Sequence, residues 1–124
     1  MKEALYETVP LQTLKNPHFL VIENAKKIYK NGLCAVDGVN LKLFKDQIFV
    51  LLGHNGAGKT SLVGILTGLF KLTEGKVELF GHDFAFEMKK IRQLMGVCPQ
   101  HDVLFELLTP REHLDIFYEF KGGS

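Results

Sequence analysis

Apolar and polar positions change period several times along the chain, and each change marks the start of a short strand or helix. Phe19-Leu20-Val21-Ile22-Glu23 opens a strand, with Ile28 and Tyr29 assigned to its partner. Val39, Leu41 and Leu43 alternate with Asn40 and Lys42, as in a half-exposed strand. Lys45-Asp46 then turns the chain into residues 47–52, an uncharged apolar run that reads as a parallel strand buried on both faces. Leu62, Ile65, Leu66, Leu69 and Phe70 follow at i, i+3, i+4, i+7 and i+8, the stripe of a helix packed on a sheet. Further on, Glu74-Gly75 marks a turn, and residues 76–80 alternate again up to Gly81. Met88, Ile91 and Met95 predict a short helix over about 86–95, and Gly96-Val97-Cys98 a strand cut off by Pro99. In the last element Thr109, Pro110 and Glu112 form a capping box, Leu114, Phe117 and Tyr118 are placed inward, and Gly122-Gly123 ends the helix. Residues 1–17, with Pro10 and Pro17, read as a linker or tail.

Between the predicted buried strand and the helix lies Gly53-His54-Asn55-Gly56-Ala57-Gly58-Lys59-Thr60, a full GxxxxGK[ST] phosphate-binding loop in its required context. Gly53, Gly56 and Gly58 lack a Cβ, which lets the backbone turn tightly and bring its N–H groups to phosphate oxygens. The helix N-terminus adds its partial positive charge to the same anion site. Lys59 would reach the β- and γ-phosphates as a point charge, and the Thr60 hydroxyl would ligate a Mg²⁺ bridging them. His54, Asn55 and Ala57 need only leave the backbone free. An antiparallel platform followed by a strand–loop–helix unit gives an α/β fold of the P-loop NTPase class.

Composition narrows the alternatives. With 124 residues, 46% hydrophobic and 23% charged, the chain is an ordinary globular sequence long enough for one core. A formal net charge of +1 provides no general attraction for nucleic acid, and Lys26, Lys27 and Lys30 read as a solvated face. Two cysteines, Cys34 and Cys98, are too few for a disulfide framework. Cys98-x-x-His101 has no second pair at ligand spacing, so no metal beyond magnesium is expected. No run reaches the ~20 apolar residues of a spanning helix, so the chain is not expected to cross a membrane itself.

Several linked motifs go further: Lys27-Ile28-Tyr29-Lys30-Asn31-Gly32, Ala35-Val36-Asp37-Gly38-Val39, the loop at 53–60, Ile65-Leu66-Thr67-Gly68-Leu69-Phe70, and the run from Gly96 through Pro99-Gln100 to Phe105. Together they closely resemble an ABC transporter ATPase domain, most of all subfamily A, whose members are mostly lipid transporters. The resemblance covers residues ~18–123. It implies an ABC-type P-loop NTPase with an antiparallel β-platform, an incomplete parallel sheet and flanking helices, residues 18–124 forming the N-terminal part of the nucleotide-binding domain. It also implies that Tyr29 stacks on adenine and that Gln100 contacts Mg²⁺ and the attacking water, so Lys59 and Gln100 stand as catalytic residues. The ATP site would then comprise Tyr29, Gly53, Asn55, Gly56, Ala57, Gly58, Lys59, Thr60 and Ser61, with Thr60 and Gln100 on Mg²⁺. The implied partners are a transmembrane domain, met by segment 101–110, and a second ATP-binding domain in a head-to-tail pair. The implied location is the cytosolic face of a membrane.

Two departures qualify that picture. Asp46 stands where the family usually has glycine, and aspartate tolerates the left-handed conformation that the turn needs. The signature motif, the Walker B acidic pair, the D-loop and the switch histidine have no counterpart up to Ser124. The chain alone is therefore expected to bind ATP–Mg²⁺ without efficient hydrolysis and, with core strands lacking, to be poorly stable. The alternative is a non-catalytic nucleotide-binding or interaction module. A GTPase would carry an Asn-Lys-x-Asp motif, which the sequence lacks, and a small-molecule kinase an arginine-bearing lid, for which only Arg92 and Arg111 are available.

Overall fold

The structure is a computed structural model that describes residues 18–123, so the predicted linker at 1–17 lies outside the described residues. The elements run β1 (His18–Ile28), β2 (Cys34–Phe44), α1 (Lys59–Leu66), β3 (Glu74–Leu79), β4 (His82–Asp83), α2 (Met88–Leu94) and α3 (Pro110–Phe120). The described residues fall into two units, divided between Arg92 and Gln93.

The first unit is built on a four-stranded sheet in the order β2-β1-β3-β4, antiparallel at every pairing. This is the expected platform, with one correction: Ile28 is the last residue of β1 rather than part of a partner strand, and Tyr29 follows it. β1 and β2 are joined by a tight turn in which Tyr29 N–H donates to the Leu33 carbonyl and Gly32 N–H to that of Tyr29, both at 2.9 Å. The ladder is irregular around Asn24, which has φ 50°. There the Asn40 side chain accepts from Asn24 N–H at 2.8 Å. Gly75 passes so close that a Cβ on it would lie 2.3 Å from the Asn24 carbonyl oxygen. β4 was not anticipated: Phe80 (φ 48°) and Gly81 (φ 78°) form a two-residue hairpin loop with both φ values positive, which matches the strand twist.

Leu20, Ile22 and Ala25 of β1, Val36 and Phe44 of β2, and Val77 and Leu79 of β3 are buried, together with Leu62 and Ile65 of α1 and Ile91 of α2. Only the first part of the predicted 62–70 stripe is helical. α1 stops at Leu66 because Gly68 (φ 75°) takes the left-handed position of a Schellman cap, with Gly68 N–H donating to Ile65 O (3.0 Å) and Leu69 N–H to Gly64 O (2.8 Å). Leu69 is consequently exposed and Phe70 folds back over Gly64. The segment after α1 is stapled to the end of β1: Thr73 N–H donates to Lys26 O, and the Thr73 hydroxyl accepts from Ile28 N–H at 2.9 Å.

Two strand expectations are corrected. Residues 47–52 and 96–98 carry no strand assignment, and Ile48, Val50, Leu52 and Val97 are exposed. A parallel strand exists only with neighbours on its ladder, and no ladder among the described residues includes either segment. Asp46 does adopt the left-handed conformation, at φ 64°.

In the second unit α3 starts as expected. The Thr109 hydroxyl accepts from Glu112 N–H, and Glu112 accepts from Thr109 N–H at 2.7 Å, with Pro110 in the first turn. At its other end Gly122 (φ 81°) completes a Schellman cap through Gly122 N–H to Glu119 O and Gly123 N–H to Tyr118 O, both at 2.9 Å. Leu114, Phe117 and Tyr118 are not buried, contrary to the inward placement predicted from their spacing.

Candidate functional site

The loop at 53–60 is shaped by its own backbone. Ala57 N–H closes a turn onto the His54 carbonyl at 3.1 Å, and Gly56 (φ 87°) and Gly58 (φ 92°) occupy conformations that side chains disfavour. Gly58 is required for a second reason: a Cβ there would stand 2.2 Å from the Ala35 carbonyl oxygen of β2. The loop thus runs directly against the sheet.

Gly58 is also the N-cap of α1, where it provides no side-chain cap, and the first turn contains no acidic residue. The N-terminal amides of α1 are left for an outside acceptor, the arrangement that favours an anion. Lys59 opens the helix, and its ammonium donates to the carbonyl of Gly53 and, at 3.2 Å, to that of His54. Thr60 follows with an exposed side chain.

A cavity of about 390 Å³ lies over this loop, a size in the range of small-molecule sites. The loop and helix contribute His54, Asn55, Gly56, Gly58, Lys59, Thr60 and Ser61 to its lining, and the β1–β2 connection contributes Tyr29, Leu33, Cys34 and Ala35. The structure therefore brings Tyr29 together with most of the sequence-predicted loop residues. Gly53 and Ala57 belong to the same loop, where a Cβ on Gly53 would meet that of Ala57 at 3.2 Å. Leu33, Cys34 and Ala35 were not anticipated. Their signal was the short turn after Tyr29, which returns the chain to the same wall. Gln100 is an exposed bend residue of the second unit and is described with that unit.

Tyr29 is held from several directions. Its hydroxyl lies 2.9 Å from the hydroxyl of Ser61, which is only 8% exposed. Phe70 meets the ring edge-on at 5.8 Å, and the Lys27 ammonium sits 5.4 Å from its centroid while donating to Lys71 O at 2.8 Å.

The fit to magnesium is limited but consistent. No Asp or Glu lines the cavity, and no cluster of three metal-ligating side chains exists among the described residues. A bare divalent ion finds no cage here. A Mg²⁺ arriving on phosphate oxygens needs only a hydroxyl such as that of Thr60, because this ion keeps most of its waters.

Comparison with known proteins agrees with this geometry. The ABC transporter family matches residues 36–122. The human phospholipid-transporting ATPase ABCA3 is 41% identical over 93% of the chain, which spans 8% of that protein. ATP-binding cassette sub-family A member 2 of Rattus norvegicus is 44% identical over 86% of the chain and 4% of its own length. ABC transporter A family member 6 of Dictyostelium discoideum is 42% identical over 94% of the chain and 7% of its own length. Among solved structures, the ATP-binding subunit of an ABC transporter superposes with TM-score 0.76 at 25% identity, over 86% of this chain and 44% of that one. A dimeric ATP-binding cassette bound to ADP and Pi gives 0.70 at 26% identity, over 82% and 47%. Since the family match takes in well over half of the sequence, with the phosphate loop inside it, the chain belongs to the ABC transporter family and carries the fold of its P-loop ATPase cassettes.

Proposed function

We propose that residues 18–124 are the N-terminal part of an ABC-type nucleotide-binding domain and that they bind ATP with Mg²⁺. The observation that carries this reading is the one cavity that Tyr29 lines together with the 53–60 loop: an aromatic residue, the N-terminal residues of α1, Lys59 and Thr60 border the same space. In this reading Tyr29 stacks on adenine. The loop backbone from Gly53 through Gly58 wraps the phosphates with Lys59 and the backbone N–H of Ser61, and Thr60 holds Mg²⁺. Gln100 keeps the role that the resemblance implies for it, contact with Mg²⁺ and the attacking water. Because no carboxylate lines the cavity, the chain binds nucleotide without efficient hydrolysis.

The parent activity is ATP-driven transport across a membrane, with lipid as the cargo class, supported by the phospholipid-transporting ATPases among the relatives. The nucleotide-binding domain would work at the cytosolic face, joined to a transmembrane domain and paired head-to-tail with a second ATP-binding domain. No helix among the described residues is long and apolar enough to cross a membrane. Titration of the chain with a fluorescent ATP analogue in the presence of Mg²⁺ tests the core of this reading. Saturable binding that ATP competes better than GTP, and that Lys59→Ala weakens, supports it; a folded chain with no ATP binding refutes it.

A further inference from the structure

Stacking alone would be served by phenylalanine, so the hydroxyl of Tyr29 calls for its own explanation. It bonds the Ser61 hydroxyl at 2.9 Å, and Ser61 sits in the first turn of α1, directly after Lys59 and Thr60. The bond therefore joins the aromatic wall to the helix whose N-terminus faces the phosphates. Ser61 is buried, so the Tyr29 hydroxyl is also the partner that keeps its oxygen satisfied. Phe70 restrains the same ring from the side, seated over Gly64, where a Cβ would come within 2.4 Å of it.

We propose that the Tyr29 hydroxyl is a positioning group for nucleotide binding: through Ser61 it fixes the ring that meets the base at a set distance and tilt from the helix that meets the phosphates. This rests on the nucleotide-binding reading above. A ring already held in place loses less rotamer freedom when a base stacks on it, which is worth about two- to tenfold in affinity. Tyr29→Phe keeps the ring and frees it; Ser61→Ala frees it from the other end.

The test is calorimetric titration of the full 124-residue chain, Tyr29→Phe, Ser61→Ala and the double variant with Mg²⁺–ATP and with Mg²⁺–tripolyphosphate. Each single variant is expected to weaken ATP binding by about two- to tenfold, and the double variant no further than the weaker single, since both remove one bond. Tripolyphosphate, which has no base, is expected to bind Tyr29→Phe as it binds the parent. Parental ATP affinity in both singles, multiplying effects in the double, or an equal loss for tripolyphosphate each overturns the proposal. A parent chain that binds tripolyphosphate as tightly as ATP refutes the aromatic wall and this proposal with it, whereas one that binds neither refutes the nucleotide reading itself.

Discussion

Gly56 and Gly58 offer a controlled comparison within one loop. Both have φ near 90°, so alanine at either position carries the left-handed penalty of about 1–2 kcal/mol, partly offset by the lower entropy of the unfolded chain. Around Gly56 nothing lies within 4 Å of an added Cβ, whereas at Gly58 the Ala35 carbonyl oxygen would be 2.2 Å away. That oxygen belongs to the backbone of β2, close to where Val36 pairs with Lys27 and Cys34 with Ile28. Relief requires moving a strand end or the helix start, an overpacking cost of about 1–3 kcal/mol. Gly56→Ala should therefore cost about 1 kcal/mol and Gly58→Ala about 2–4 kcal/mol. At a urea slope of about 2 kcal/mol/M, the two midpoints should differ by about 0.5–1.5 M. Urea unfolding followed by circular dichroism reads this directly. Equal midpoints, or a Gly56→Ala variant less stable than Gly58→Ala, would show that the loop does not press on β2 as described.

Lys59→Ala should weaken ATP binding by roughly 10- to 100-fold, the value of a charge-assisted contact of about 1.5–3 kcal/mol, in the same fluorescence titration. Glu87 accepts from the Lys90 ammonium at 2.9 Å and pairs with His82 at 3.1 Å, and these contacts hold its carboxyl at about 2 against an ordinary 4.5. Because the folded value is the lower one, its stabilising contribution is complete above pH ~4.5 and is lost as pH falls toward 2. The fall in urea midpoint from pH 7 to pH 3 should accordingly be smaller in Glu87→Gln than in the parent. Thr109→Ala removes the acceptor for Glu112 N–H and should cost about 1 kcal/mol of local helix stability, read as faster amide exchange in α3.

Elements whose determinants are local were legible in the sequence. The α3 start and stop depend on Thr109, Glu112 and Gly122, all within one turn of the helix ends, and the Asp46 turn depends on one residue's tolerance of positive φ. The phosphate loop is legible for the same reason, since Gly56 and Gly58 encode its conformation residue by residue. Where the outcome depends on distant partners, the pattern misled. The apolar run at 47–52 has the composition of a buried strand, but strand formation is a property of a ladder, and no ladder reaches it among the described residues. Spacing placed Leu114, Phe117 and Tyr118 on one helix face without stating what would cover it. The 62–70 stripe ran too far because Gly68, read as part of a motif, is also a helix stop.

The position of Lys59 joins these local and distant levels. Its ammonium lies on the carbonyls of Gly53 and His54, so the lysine that would meet phosphate also ties the loop's first residues to the helix start. Those carbonyls are neutral acceptors, whereas a phosphate oxygen carries charge and would add ion pairing to a bond that the ammonium already strengthens. Transfer of Nζ from loop to phosphate would gain that ion pairing, and what it would leave behind is a loop held by the Ala57–His54 turn and by the Gly58 contact with β2. The Tyr29 wall needs no such exchange, because the Ser61 bond, Phe70 and the Thr73 staple hold it to α1 and β1 independently of Lys59. Preorganisation is thus uneven: the aromatic wall is set by the antiparallel platform, and the loop is held by a lysine that phosphate binding would redirect. It follows that substitutions on the aromatic wall should change affinity by small factors, while substitutions at the loop should change both affinity and loop order.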